Sequence, residues 1–372
     1  RTPRGVLSLA CMRARPLAVK AAGTSLAIAM SSARALSGSP SPADLLAPQA
    51  LCERYTDETY TTMRDDEMRT RAYLSAIERH APGKLCLDVG TGALALLAII
   101  AARAGAEHVF AIEANAEAAA TARQTVAAEG LEAQITIIEG YSTDVTLPRR
   151  VDLLLHEIIG EIASAEGVVA AVLDAGERHL RSGAAAPVSI PARARTLLAP
   201  CEFPGSEYFD ALPHPMLAAP GAQVLKLPSL PRSLMLAPAA PMEVLDFSAA
   251  APVASHAREL RFALARRGEL RGLALHIELV VDGDLDGAAE GEAEAGPAAP
   301  EVSSAEPGSH WHNVMVLLEP VEVEAGAQLL VRTTAELGAG APPRYTFETW
   351  LGGAGDEAAP DEMRWLGAAT YP

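Results

Sequence analysis

The sequence predicts an α/β fold: a doubly wound parallel sheet followed by an antiparallel β-barrel or sandwich. Two observations predict it. From Leu85 to Leu155, short apolar strand-like runs alternate with helix-like stretches, as in parallel strands joined by crossover helices. After about Gly183 prolines multiply, helical periodicity fades and short β-like runs take over. A chain of 372 residues has room for both units.

Residues 1–43 hold six basic residues and no acid, and are rich in Ser and Ala. This composition fits an organelle transit peptide or, with translation starting at Met12 or Met30, a short disordered extension. The first folded unit is expected over 44–186. Its entry is helical from about Leu51 to Arg79, where Tyr60, Met63, Met68, Ala72 and Tyr73 interleave with charges. Asp66 and Arg69 are three apart, and spacing alone reads them as an ion pair on the helix surface. Leu85-Cys-Leu-Asp88-Val-Gly90-Thr-Gly92 then reads as a strand and a glycine turn, followed by an apolar helix to Ala104 with Gly105 as its cap. Val109–Ile112 is the second strand and ends in Glu113. A helix from Ala114 to Glu129 stops at Gly130, Gln134–Ile138 is the third strand, and Val151–Leu155 the fourth.

The second unit is expected over 187–372. Its β-like runs are Arg195–Leu198, Met242–Phe247, Leu273–Val281, Val314–Leu318, Gln328–Thr333 and Tyr345–Leu351. Residues 284–308 are acidic and rich in Ala, Gly and Pro, which predicts a disordered insertion. Ser309-His310-Trp311-His312 follows at once.

Two groups of residues point to chemistry. Glu113 lies 23 positions beyond Gly90, the spacing of an acid that holds ribose hydroxyls. Gly90-x-Gly92-x-x-Ala95 also fits a dinucleotide fingerprint, which keeps a nicotinamide-dependent dehydrogenase as an alternative. Asp88 weighs against it, because a carboxylate beside the turn is unhelpful to a pyrophosphate. S-adenosylmethionine has no phosphate, and its ammonium and sulfonium suit an acid. The second group is Glu157 and Glu166. Nine steps along one helix would set them on opposite faces, so they converge only if the chain turns between them, and Gly160 permits that turn. Converging carboxylates at the end of a strand suit a guanidinium. The plainer reading is two solvated acids at a helix start.

The net charge of −17 argues against a nucleic-acid partner and suits cationic substrates, although solubility explains it equally. No apolar run reaches the length of a membrane span. Cys11, Cys52, Cys86 and Cys201 are far apart, without CxxC and without a nearby His, so neither a metal site nor a disulfide framework is expected.

These motifs together resemble the protein arginine methyltransferases, over about residues 51–372. Glu157 and Glu166 resemble the family's double-E loop, and Ser309-His310-Trp311 its Thr-His-Trp loop. Tyr60-x-x-Met63-x-x-Asp66-x-x-Arg69 resembles the helix that folds over the cofactor. Leu87-Asp88-Val-Gly90-Thr-Gly92 and Ile112-Glu113 resemble its cofactor motifs. The chain departs from the pattern at Ala93-Leu94, where a third glycine is usual. It departs again at Ile158, Ile159 and Glu161, where the best-known members carry aromatics. Ser142-Thr143 and Glu161 resemble the monomethylating members, Gly160 the dimethylating ones.

The resemblance implies a Rossmann-like methyltransferase unit, a β-barrel and transfer of a methyl group from S-adenosylmethionine to arginine residues of proteins. A catalytically impaired relative serving as a scaffold is the alternative. It implies a catalytic set of Glu157, Glu166, His310 and Asp66. Arg69, Asp88, Gly90, Gly92, Glu113, Ser142 and Thr143 would hold the cofactor, and Met63 and Trp311 would face the substrate. A homodimer is also implied, although the Pro-rich stretch from Cys201 to Met242, where a dimerisation arm would lie, is short. The expected location is the cytoplasm or nucleus, or a plastid or mitochondrion if residues 1–43 are a transit peptide.

Overall fold

A computed structural model describes residues 63, 65–181, 188–212, 223–247, 255–282, 301–337, 342–355 and 362–371. The expected extension over 1–43 and the start of the first expected helix, with Tyr60, lie outside the described residues.

The first unit is a helix followed by alternating strands and helices: α1 (Glu67–His80), β1 (Leu85–Val89), α2 (Leu96–Arg103), β2 (His108–Glu113), α3 (Ala116–Ala128), β3 (Ile135–Glu139), β4 (Leu153–His156), α4 (Val168–Arg178) and β5 (Val188–Ile190). The five strands form one parallel sheet in the order β3-β2-β1-β4-β5. Every residue of β1 and β4 is buried. Helices cover both faces of such a sheet, which is why its central strands read as nearly unbroken apolar runs. The strand order reverses at β1, and the crevice beyond the carboxyl ends of β1 and β4 is where this fold binds ligands.

The sheet runs past the expected boundary at 186/187. Leu153 to Leu155 pair with Val188 to Ile190, so the second unit begins after Ile190. A three-residue strand is too short to show a period, which hid it from the sequence pattern.

The second unit is antiparallel: β6 (Arg193–Cys201), α5 (Ser206–Asp210), β7 (Val224–Leu227), β8 (Ala240–Asp246), β9 (Ser255–Ala263), β10 (Gly268–Val280), β11 (Val302–Ser303), β12 (Asn313–Val323), β13 (Ala327–Glu336), β14 (Arg344–Ala354) and β15 (Arg364–Tyr371). One sheet has the order β7-β12-β10-β6-β8 with β11 on β10, and the other β15-β14-β13-β9. A continuous buried core runs from Tyr73 and Ile77 of α1 through β1, β2 and β4 into β10, β13 and β14. The two units therefore meet across shared apolar packing.

The expected disordered insertion over 284–308 needs correction. Residues 301–308 are described, and Val302 and Ser303 pair with Leu279 and Glu278. Val302 and Ser304 are buried, and the Ser304 hydroxyl accepts from the Ile277 N–H at 2.9 Å. The acidic, small-residue composition continues up to this point and masks the apolar anchor. Residues 283–300 lie outside the described residues. Among the described residues, no helix is long and apolar enough to cross a membrane.

Candidate active site

The turn after β1 is built by backbone geometry. Gly90 and Gly92 have φ of +74° and +66°. A Cβ at Gly90 would come within 2.7 Å of the Ile158 side chain, so glycine is required where the glutamate loop crosses the turn. Past Ala93-Leu94, where the family pattern has its third glycine, this chain closes the turn with Ala95 at φ 46°, just before α2. A non-glycine residue in that conformation costs on the order of 1 kcal/mol. Contacts to β2 hold the turn: the N–H groups of Gly90 and Thr91 both donate to the Ile112 carbonyl at 3.0 Å. Glu113 adds a clamp, accepting from Gly92 N–H and Asn115 N–H, both at 2.8 Å. Burial raises the Glu113 pKa, and those N–H groups offset only part of it.

Asp88 sits beneath this turn, fully enclosed. Its Oδ2 accepts from the Thr91 hydroxyl at 2.6 Å, while its Oδ1 has no hydrogen-bond partner among the described residues. Burial, with the nearby Glu113 charge, pushes its pKa up to about 7 against the opposing pull of Thr91 and Arg69. Ser142 and Thr143 lie in the turn after β3, at the same edge of the sheet.

The glutamate loop leaves β4 at His156. Glu157 is buried and accepts from Arg69 Nη2 at 2.6 Å. Gly160 is the point of closest return: a Cβ there would lie 2.9 Å from the Ala165 Cβ and 3.3 Å from the Glu166 Cγ. The chain thus folds back over Gly160, as the nine-residue spacing requires, and brings the half-buried Glu166 onto the loop that begins with Glu157. Glu161 points elsewhere and accepts from Lys226 Nζ of β7 at 2.7 Å. Burial raises the Glu161 pKa, but the Lys226 charge and hydrogen bond outweigh it and hold the carboxyl below its ordinary range.

Helix α1 closes one side of the site. Asp66 is its N-cap, accepting from the Arg69 backbone N–H at 3.0 Å. The spacing of these two residues therefore marks a helix cap and not a surface ion pair. The Arg69 side chain is buried over the Tyr73 ring and donates to Glu157 and, at 3.1 Å, to the Met63 carbonyl. Asp66 also reaches across to the second unit: its Oδ2 accepts from the His310 backbone N–H at 3.0 Å and lies 2.9 Å from His310 Nδ1. Burial works to raise the Asp66 pKa, but the His310 ring and the two N–H groups prevail and keep it low. An ionised carboxylate only accepts, so Nδ1 carries the proton of this bond. The Trp311 ring lies against His310, tilted by 39° with ring centroids 3.8 Å apart, and its Nε1 donates to the Ile159 carbonyl at 2.7 Å.

The structure thus joins residues from sequence positions 66, 69, 157 and 310 through direct contacts, and sets Met63, Gly90 and Trp311 against that set. The sequence pattern marks neither Ser164 of the loop nor Lys226, Glu243 and Tyr345, which hold the loop from the barrel. Their contacts span 47 to 181 positions, and no local pattern marks them. Among the described residues, no group of three or more His, Cys, Asp or Glu is arranged to hold a metal ion.

The geometry agrees with comparisons to known proteins. The family model of ribosomal protein L11 methyltransferase matches residues 68–183. Protein arginine N-methyltransferase PRMT10 of Arabidopsis thaliana is 38% identical over 141 residues, 37% of this chain and 36% of the relative. The chain therefore aligns with little more than a third of that relative's length. The arginine N(omega)-methyltransferase of Streptomyces achromogenes is 30% identical over 297 residues, 76% of this chain and 77% of the relative. The solved structure of Arabidopsis protein arginine methyltransferase 10 superposes with a TM-score of 0.66 at 21% identity, covering 86% of this chain and 99% of that one, which establishes the shared fold. The long match resolves the choice that the glycine turn left open between a methyltransferase and a dehydrogenase: the chain belongs to the arginine N-methyltransferase family.

Proposed function

We propose that the protein transfers a methyl group from S-adenosylmethionine to a guanidinium nitrogen of arginine residues in proteins. The observation that carries this reading is the loop of Glu157 and Glu166, folded back at Gly160 between Arg69 on one side and the Asp66–His310 pair with Trp311 on the other.

The residues present fit the cofactor. Arg69 Nε and Asp88 Oδ1 are buried without hydrogen-bond partners among the described residues, a donor and an acceptor for the carboxylate and ammonium of an amino-acid group. Gly90 and Gly92 let the backbone come close to a ligand. Glu113, at the end of β2, suits the ribose hydroxyls, and Ser142 and Thr143 suit the adenine. When bound, the cofactor supplies a methyl group on a positively charged sulfur.

The chain's own residues supply orientation and electrostatics. Two carboxylates gripping the planar guanidinium draw its charge toward the nitrogens they hold. The remaining nitrogen keeps its lone pair and is aimed at the methyl group. Trp311, anchored to the loop itself, forms a wall of the slot, with Met63 behind α1. A guanidinium has a pKa above about 12, so a proton must leave during transfer. His310 provides the outlet: Asp66 fixes Nδ1 as the donor, which leaves Nε2 as the basic atom.

The test is methyl transfer from labelled S-adenosylmethionine to Arg-rich peptides, their Lys-substituted counterparts and free arginine, with product analysis by mass spectrometry. Methylated arginine in the peptides supports the reading, and no transfer to any arginine acceptor by protein that binds S-adenosylhomocysteine overturns it. Free arginine as acceptor is the second reading. It is favoured by the long match to a relative named for arginine and not for protein arginine. A homodimer is proposed from the family resemblance and is read by sedimentation. For location, the resemblance supports the cytoplasm or nucleus and the basic residues 1–43 a plastid or mitochondrion, and a fluorescent fusion distinguishes the two.

A further inference from the structure

The loop that carries Glu166 is not fixed by the parallel sheet alone. Ser164, two residues before Glu166, is fully buried against the barrel. Its backbone N–H donates to Glu243 Oε1 at 3.1 Å and its hydroxyl to Oε2 at 2.6 Å. A serine hydroxyl has one proton, so the Tyr345 hydroxyl, 2.6 Å away, donates to Ser164. Thr196 completes the set: its hydroxyl donates to Glu243 Oε1 at 2.7 Å and accepts from the Ala163 N–H at 2.9 Å. Glu243, Thr196 and Tyr345 come from β8, β6 and β14, so both barrel sheets contribute. Glu243 itself has no exposed surface and lies outside the residues given catalytic or binding roles above.

We propose that Glu243 is a positioning residue for methyl transfer: with Thr196 and Tyr345 it holds Ala163 and Ser164, and so sets where the Glu166 carboxylate stands. The inference rests on the proposed function. A buried polar network of this kind has one satisfied arrangement, since each donor displaced from it stays buried and unpaired. Glu157 is placed by β4 and Arg69 and does not need the network. Glu166 follows Ser164 by two residues on the returning side of the loop, so where Ala163 and Ser164 are held bears directly on it. A displacement of about 1 Å at a group that orients substrate costs up to about a hundredfold in rate.

The experiment compares Glu243→Leu, Ser164→Ala and Glu243→Gln in the full chain. Glu243→Leu and Ser164→Ala should lower kcat by at least about tenfold with S-adenosylhomocysteine affinity within about twofold of wild type. Glu243→Gln can still accept from Ser164 N–H and Thr196, and can donate to the Ser164 oxygen, so it should keep most of the rate. Adding Glu243→Leu to Glu166→Gln should lower kcat little further, because both act through the same carboxylate. Hydrogen exchange of the amides of residues 161–167 should speed up in Glu243→Leu and Ser164→Ala and stay near wild type in Glu243→Gln. Full kcat in the first two variants, multiplying losses in the double variant, or unchanged exchange overturns the proposal. If Glu243→Leu does not fold, Ser164→Ala decides alone. Failure of the functional reading looks different: wild-type protein then methylates no arginine, and the exchange measurement still decides the role of Glu243.

Discussion

Asp88 gives the sharpest quantitative test of the cofactor pocket. Its carboxyl is enclosed, half satisfied and held at a pKa of about 7, mainly by burial, whereas an unfolded aspartate titrates near 3.8. The folded state therefore binds more protons than the unfolded state between these two values, and stability falls as pH rises through that window. The whole difference corresponds to roughly 4 kcal/mol, about half of it lost between pH 5.5 and 8. Asp88→Asn keeps an acceptor for Thr91 and removes the titration. Urea unfolding of ligand-free wild type and variant at pH 5.5, 6.5, 7.5 and 8 should show the variant gaining about 2 kcal/mol relative to wild type across the series. A bound cation reverses the preference, so the wild type should bind S-adenosylmethionine more tightly at pH 8 than at pH 6 and release a proton on binding below pH 7. Parallel stability profiles for wild type and Asp88→Asn would refute the assignment of a proton to this site.

Three further outcomes are expected. Glu157→Gln and Glu166→Gln should each lower turnover at least about a hundredfold with little change in cofactor affinity, and the two losses should not multiply. The control is Glu161→Gln, which keeps an acceptor for Lys226; if it is the most damaging change, the wrong carboxylates have been assigned. Arg69→Lys keeps the charge but cannot reach both Glu157 and the Met63 carbonyl, so S-adenosylhomocysteine affinity should fall at least about tenfold; titration calorimetry showing no loss removes Arg69 from the cofactor site. Deleting residues 284–299 should shift the Tm by no more than about 2 °C, while Val302→Ala should cost about 2 kcal/mol. Differential scanning calorimetry giving the opposite ranking would show that the apolar anchor of this segment lies elsewhere.

The parts legible in the sequence share a physical origin. β1 and β4 are enclosed on both faces, so their apolar runs carry the signal without help from the rest of the fold. The glutamate pair was readable because a spacing of nine fails on a straight helix and demands the turn that Gly160 makes. Besides the short β5 and β11, the strands absent from the sequence pattern are β7, β9 and β15, all edges of their sheets. Edge strands carry charge and alternate poorly, as Arg258, Glu259 and Arg261 do in β9. Asp66 and Arg69 were placed on the right helix but given the wrong relation. Spacing reports which residues are neighbours and not which way a buried guanidinium turns, and here it turns to a carboxylate 88 positions away. Lys226 and Glu243 are invisible to local pattern because each reaches a loop residue of the other unit, 65 and 79 positions away.

This division also shows why the first unit alone does not specify an arginine site. The match to the L11 methyltransferase family spans residues 68–183 and contains both glutamates, yet four of the contacts that shape the loop between them come from beyond it. Trp311 binds the Ile159 carbonyl, Lys226 binds Glu161, Thr196 binds the Ala163 N–H, and Glu243 binds Ser164. From the parallel-sheet unit the loop receives its strand, the Arg69 clamp and the close crossing of Ile158 over Gly90. That is enough to hold a cofactor beside one carboxylate. A guanidinium needs two carboxylates at fixed separation, because a planar cation with several donors is oriented only when it is gripped at more than one edge. On the proposed reading the second grip is Glu166, whose stretch of the loop the barrel holds through Ser164, which puts acceptor recognition at the joint between the units.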